Sequence, residues 1–158
     1  MDRIHALTDL SAREAAEQMA QGNLRTADYV DALLRRSAAA ASLGGLLHQD
    51  AERLRCEATA LDTAPRPAAG TRPLHGLPLA FKDNTDVVGF PTTAGSPWMA
   101  DHRPRRAAGV TQRLLAAGAL VFGKTNLHEW SQGVTGHNHP FGPSRNPFDP
   151  SRISGGSS

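Results

Sequence analysis

Cysteine is almost missing from this 158-residue sequence: Cys56 stands alone. One thiol cannot close an intramolecular disulfide, so packing must hold the chain, and a reducing compartment suits it. Aromatic residues make up only 5% and the net charge is +2, with no basic stripe interleaved with aromatics. A nucleic-acid partner is therefore not expected. No apolar run approaches the roughly 18 residues of a membrane span. The opening MDRIHALTDLSAREAAEQ lacks the apolar segment flanked by positive charge that marks a signal peptide. The expectation from these absences is a soluble, cytoplasmic chain with no membrane partner. What is present, 39% hydrophobic and 20% charged residues, is the balance of a globular chain long enough for one domain with a core.

The first third of the sequence has helical period. Ser11 with Glu14 has the form of a capping box, Ala12, Ala15, Ala16 and Met19 follow at helical spacing, and Gly22 is placed to end the helix. Thr26 reads as the next N-cap, with Asp28 in the first turn and Val30, Leu33, Leu34, Ser37 and Ala41 along one face. After a break at LGGLL, Ala51, Leu54, Ala58 and Leu61 predict a third helix, with Cys56 off its apolar face. TAPRPAAGTRP, residues 63–73, reads as a surface linker.

Behind the linker the pattern changes. LPLAF is a short continuous apolar run that predicts a buried strand, TDVVGF reads as a second extended piece, and PTTAGSP as loop. Ala107, Val110, Leu114 and Ala117 predict a helix closed by Gly118, and ALVFG a buried strand directly after it. Residues 133–158, rich in Gly, Pro, Asn and Ser, read as irregular. Helix and strand in alternation predict an α/β fold, with a sheet covered by helices.

Three features could carry chemistry. Gly118-Ala-Leu-Val-Phe-Gly123-Lys124-Thr125 matches G-x-x-x-x-G-K-[ST], the phosphate-cradling loop. That loop needs small residues whose amides curl around phosphate, and here the four intervening residues are the strand itself, so nucleotide binding is not expected. His128, Glu129, His137 and His139 lie close in sequence without the spacing of a zinc site, and no metal is expected. Lys82 stands at the end of a buried strand. Desolvation there disfavours the charged form and can turn the amine into a base, which then needs a hydroxyl partner. None lies near in sequence; Ser157 and Ser158 come much later, on a glycine-rich stretch.

GLPLAFKDNTDVVGFPTTAGS, GALVFGKTNLHEW and GPSRNPFDPSRISGGSS, over roughly residues 74–158, together resemble the amidase signature family in order and spacing. KTNLHEW followed by FGPSRNPFDPSR is most similar to amidases of the indoleacetamide- and mandelamide-hydrolase type, and glutamyl-tRNA amidotransferases share the same blocks in their amidase-type (A) chain. The resemblance implies the N-terminal part of an α/β/α domain around a mixed sheet. Residues 1–62 would be its N-terminal helical segment and residues 63–158 the start of its catalytic core, cut off within GGSS. It further implies amide hydrolysis by a Ser–cis-Ser–Lys triad with no cofactor. Lys82 would be the triad lysine, Ser157 the bridging serine behind a cis Gly156–Ser157 bond, and Gly155, Gly156 and Ser158 the supporting loop. Ser131 would line a pocket for the acyl group of a small-molecule amide. The family's nucleophilic serine and oxyanion donors lie beyond GGSS, so the 158 residues alone are expected to be inactive. The full-length protein is read as a homo-oligomer. The competing readings are a non-catalytic module that binds a partner through its sheet edge, and a fragment of the amidase-type component of an amidotransferase.

Overall fold

Ser11 begins the ordered framework with the capping box read from the sequence. In the computed structural model, which describes residues 3–68 and 70–158, a short helix α1 (Arg3–Thr8) precedes it. Ser11 Oγ accepts from Glu14 N–H at 3.2 Å, and Glu14 Oε2 accepts from Ser11 N–H at 2.8 Å. Two N–H groups that the helix cannot satisfy internally are thus paired, and α2 (Ala12–Gln21) follows. Gly22 ends it in the left-handed conformation (φ 81°), its N–H turned back to Met19 O, while Asn23 N–H reaches Gln18 O.

The next helix, α3 (Thr26–Ala39), has a cap that local sequence does not reveal. Thr26 is its first helical residue and does not act as its own N-cap. The Thr26 and Ala27 N–H groups donate instead to the Asp62 carboxylate, at 2.8 and 3.0 Å. Asp62 lies on α4 (Ala51–Thr63), whose own start is capped by Asp50 accepting from Arg53 N–H at 3.0 Å. A carboxylate at a helix N-terminus satisfies the free donors and meets the positive end of the dipole.

Contacts divide the chain into two compact units. The first comprises residues 1–39, 50–79 and 113–122; the second 40–49, 80–112 and 123–158. In the first unit, Ala15, Met19, Leu24, Tyr29 and Leu77 form one buried cluster. Val30, Leu34, Leu54, Ala58 and Leu120 form another, where α3 packs on α4. The helical faces predicted from sequence supply most of these residues, and Cys56 is exposed.

Three strands make the sheet, in the order β1–β3–β2: β1 (Leu46–His48), β2 (Pro78–Lys82) and β3 (Leu120–Thr125). Both β2 and β3 begin in the first unit and continue into the second. Leu120 N–H donates to Leu77 O in the first, and Asp83 N–H donates to Thr125 O in the second, so β2 and β3 run parallel. Within the second unit β1 is antiparallel to β3, His48 opposite Lys124. The sheet is mixed and the chain is α/β, as expected. β1 occupies part of the stretch read as a break, being three residues long and too short to show a period.

TDVVGF is not a strand. Phe90 N–H turns back to Val87 O, and the Asp86 carbonyl accepts from Ala108 N–H and Thr111 Oγ1 at the start of α5 (Gly109–Ala116). The backbone of this segment is satisfied by turns and by a helix start, while Val87 and Phe90 are still buried. On α5 the buried residue is Thr111, and Val110, expected on the apolar face, is 47% exposed. Residues 133–158 are turns and coil, joined by one isolated bridge between Arg145 and Ile153. The phosphate-loop match lies on β3 itself. Gly123 is required there by proximity, because a Cβ would fall 2.6 Å from His48 O on the neighbouring strand. Among the described residues, no helix is long and apolar enough to cross a membrane.

Candidate active site

Lys82 is the last residue of β2, half-buried, and its Nζ donates to Ser157 Oγ at 2.5 Å. Seventy-five positions separate the two residues. The peptide bond between Gly156 and Ser157 is cis. Gly155 has φ 88°, a region open to glycine at little cost, and a Cβ on Gly156 would meet Gly136 N at 2.7 Å. The glycines before Ser157 therefore serve a bend and a close approach of two backbones.

The carbonyl of Ser157 is held as well as its hydroxyl. His128 N–H donates to Ser157 O at 2.7 Å, from the residue that opens the short 3₁₀ turn Glu129–Ser131. That turn is unusual: Trp130 and Ser131 both have positive φ, 55° and 59°, and Ala94, whose carbonyl accepts from Trp130 N–H, has φ 51°. Non-glycine residues in this region carry backbone strain that a packed surrounding must over-determine, and such residues cluster at functional sites. The Ser131 hydroxyl accepts from Asn84 Nδ2 at 3.1 Å, two residues beyond Lys82. The chain thus brings Lys82, Ser157, His128, Ser131 and Asn84 together within the second unit.

Ser158 is exposed and points elsewhere, lining an open hollow of about 410 Å³ together with Leu43, Thr125, Asn126, Ser144 and Ser154. Asn126 and Asn138, both buried, tie the surrounding loops. Asn126 Nδ2 donates to Gly44 O and Gly142 O, and Asn138 Nδ2 to Gly95 O and Leu127 O. Neither stands out in the sequence. Their signal, an amide among glycines in a loop, is shared with ordinary turn residues.

Behind Lys82 lies a buried pair that the sequence does not reveal either. Lys124 Nζ meets Asp83 Oδ1 at 2.8 Å, both side chains wholly inaccessible to solvent. Oδ1 receives no directed hydrogen bond, so this contact is an ion pair only. Burial holds the nearby His48 imidazole below its usual pKa; Asp83 opposes that shift, while Lys124 and Arg103 reinforce it. The histidines of HEWSQGVTGHNH do not assemble. His128 Nδ1 lies 3.3 Å from Thr135 Oγ1, and among the described residues no group of three or more His, Cys, Asp or Glu could hold a metal.

Comparison with known proteins adds to this geometry. The family model described as Amidase matches residues 28–158. The amidase-type (A) chain of the glutamyl-tRNA(Gln) amidotransferase of Cupriavidus necator is 38% identical over 148 residues, 94% of this chain and 29% of that protein. Indoleacetamide hydrolase of Allorhizobium ampelinum is 42% identical over 131 residues, 83% of this chain and 28% of that protein. The native peptide amidase of Stenotrophomonas maltophilia superposes with a TM-score of 0.84 at 32% identity, over 94% of this chain and 32% of that one. The chain spans less than a third of the length of these relatives.

Proposed function

The chain belongs to the amidase family, and on that footing we propose that it carries the base and the relay of an amide hydrolase. The observation that supports this most is the Lys82 Nζ–Ser157 Oγ contact, made across 75 residues of sequence. In its unprotonated form the Lys82 amine accepts the Ser157 hydroxyl proton, and Ser157 Oγ accepts that of a second serine. That serine attacks the carbonyl of a small-molecule amide. The proton then returns through the same two groups to the departing nitrogen, ammonia leaves, and water releases the acid from the acyl-enzyme. Neither a metal nor an organic cofactor enters these steps.

Ser131, held by Asn84 beside Lys82, lines the acyl side of the pocket in this reading. Gly155 and Gly156 shape the bend that presents Ser157, and Ser158 supports the loop. The attacking serine and the donors that stabilise the oxyanion come from the length that the relatives have and these 158 residues do not. A 158-residue polypeptide is accordingly inactive alone, because the oxyanion donors supply the largest electrostatic share of the rate.

The test has two arms. The 158-residue polypeptide releases no ammonia above blank from indoleacetamide or benzamide. A polypeptide continued to the relatives' length does, and loses at least about a hundredfold in kcat on Lys82→Ala or Ser157→Ala. Turnover by the short chain, or full activity of either variant, refutes the reading. The similarity to the glutamyl-tRNA amidotransferase favours one second reading, in which the same relay releases ammonia for transfer to an acceptor. Ammonia release that rises on adding the other components of such an enzyme separates the two.

A further inference from the structure

Lys82 and Lys124 are the two lysines of the chain, and they keep different company. Lys82 reaches Ser157. Lys124 is fully buried, and its ammonium faces three acceptors: Pro91 O at 2.7 Å, Asp83 Oδ1 at 2.8 Å and Thr92 Oγ1 at 3.2 Å. An ammonium has three N–H donors, so each finds a partner.

Asp83, the residue next to Lys82, is pinned on every side. Its N–H donates to Thr125 O at 3.2 Å and its carbonyl accepts from Ala94 N–H at 2.9 Å. Its Oδ2 accepts from Thr93 N–H at 3.0 Å and from the Thr93 hydroxyl, which Gly95 N–H in turn approaches at 3.1 Å. Oδ1 meets Lys124. Burying two charges is costly, and a well-packed apolar pair often serves stability as well, so the use of such a pair is to be sought in geometry.

We propose that the Asp83–Lys124 pair is the positioning device that aims Lys82 at Ser157. Successive residues of a strand point to opposite faces, so fixing Asp83 from behind fixes the direction in which Lys82 leaves. A flexible lysine stem with four rotatable bonds gains most from a backbone that cannot turn. Neither residue touches the reacting atoms; both act through Lys82. This rests on the relay reading above, and the experiment separates the two.

With carbon-13 at lysine Cε, the protein gives two lysine signals, one from each residue, followed from about pH 6 to about pH 11. Ser157→Ala is the control for the relay: it is expected to move the Lys82 signal and its titration. If it does not, the relay reading falls and takes the proposal with it. In Asp83→Asn/Lys124→Met, which removes both charges and leaves one lysine, the Lys82 signal is expected to shift to its Ser157→Ala position although the protein stays folded. A folded double variant whose Lys82 signal coincides with the wild type overturns the proposal, because a merely structural pair leaves that signal in place. If the double variant does not fold, Thr93→Val removes one hydroxyl from Asp83 and keeps both charges. An intermediate shift supports the proposal, and an unmoved signal overturns it.

Discussion

Removing one partner of the Asp83–Lys124 pair is the most demanding test of the structure. Lys124→Met keeps the stem's volume and deletes the ammonium. It leaves the Asp83 carboxylate buried without its cation, and Pro91 O and Thr92 Oγ1 without their donor. Breaking a buried pair from one side costs about 3–5 kcal/mol. Set against the roughly 5–15 kcal/mol of a whole domain, that is a large share. At about 2–4 °C per kcal/mol for a chain of this size, the melting temperature falls by about 6–20 °C. Asp83→Asn does comparable damage from the other side, stranding the ammonium. The double variant carries no buried charge, and its asparagine still accepts from Thr93, so it is expected to cost less than either single change. Urea unfolding of the four proteins, followed by circular dichroism, measures the cycle. Two single variants each within about 1 kcal/mol of wild type, or a double variant additive to about 0.5 kcal/mol, would mean that no coupled pair exists.

Asp62→Ala removes the acceptor for the first two N–H groups of α3 and is expected to cost about 1 kcal/mol, read from urea midpoints at unchanged slope; no loss would show that water caps the helix as well. Gly123→Ala places a methyl 2.6 Å from the His48 carbonyl, and β1 must shift to admit it. A loss of about 1–3 kcal/mol is expected, and wild-type stability would contradict the close strand approach. Burial lowers the pKa of His48 and of His75, the latter further through Arg72 and Arg66. The unfolded chain therefore binds protons below about pH 6.5 that the folded one refuses. The contribution of both histidines is complete above that pH and is lost as the pH falls through their folded values. The melting temperature is expected to drop between about pH 7.5 and 5.5, and less steeply in His48→Gln/His75→Gln; equal slopes would rule the histidines out. Glu14, held low by Ser11, and Asp149, held low by Ser151 and Arg152, act only in the acid range below about pH 4.

The pattern of residues was enough wherever a few neighbours decide the matter. The capping box of α2, the apolar faces of α3 and α4, and the strands β2 and β3 depend on hydrogen bonds and periods that close within a turn or a short run. Lys82 also stood out locally, as a charge directly after an apolar strand. Its partner did not: nothing between positions 82 and 157 encodes their meeting, and only the likeness of three separate blocks to one family suggested it.

The remaining features were settled by packing between distant segments. The carboxylate that caps α3 arrives from Asp62, 36 residues after Thr26. β1 is three residues that become a strand only because β3 lies beside them. TDVVGF, strand-like by composition, spends its backbone bonds on turns and on the start of α5. Lys124, inside a tempting phosphate-loop match, is the most voluminous of the wholly buried side chains, balanced by Asp83. The physical reason is common to all four. Helix caps and alternation are free-energy differences among neighbouring residues, visible in composition and spacing. A buried charge or a three-residue strand is tolerable only when a specific remote group completes it, and that group is supplied by the fold.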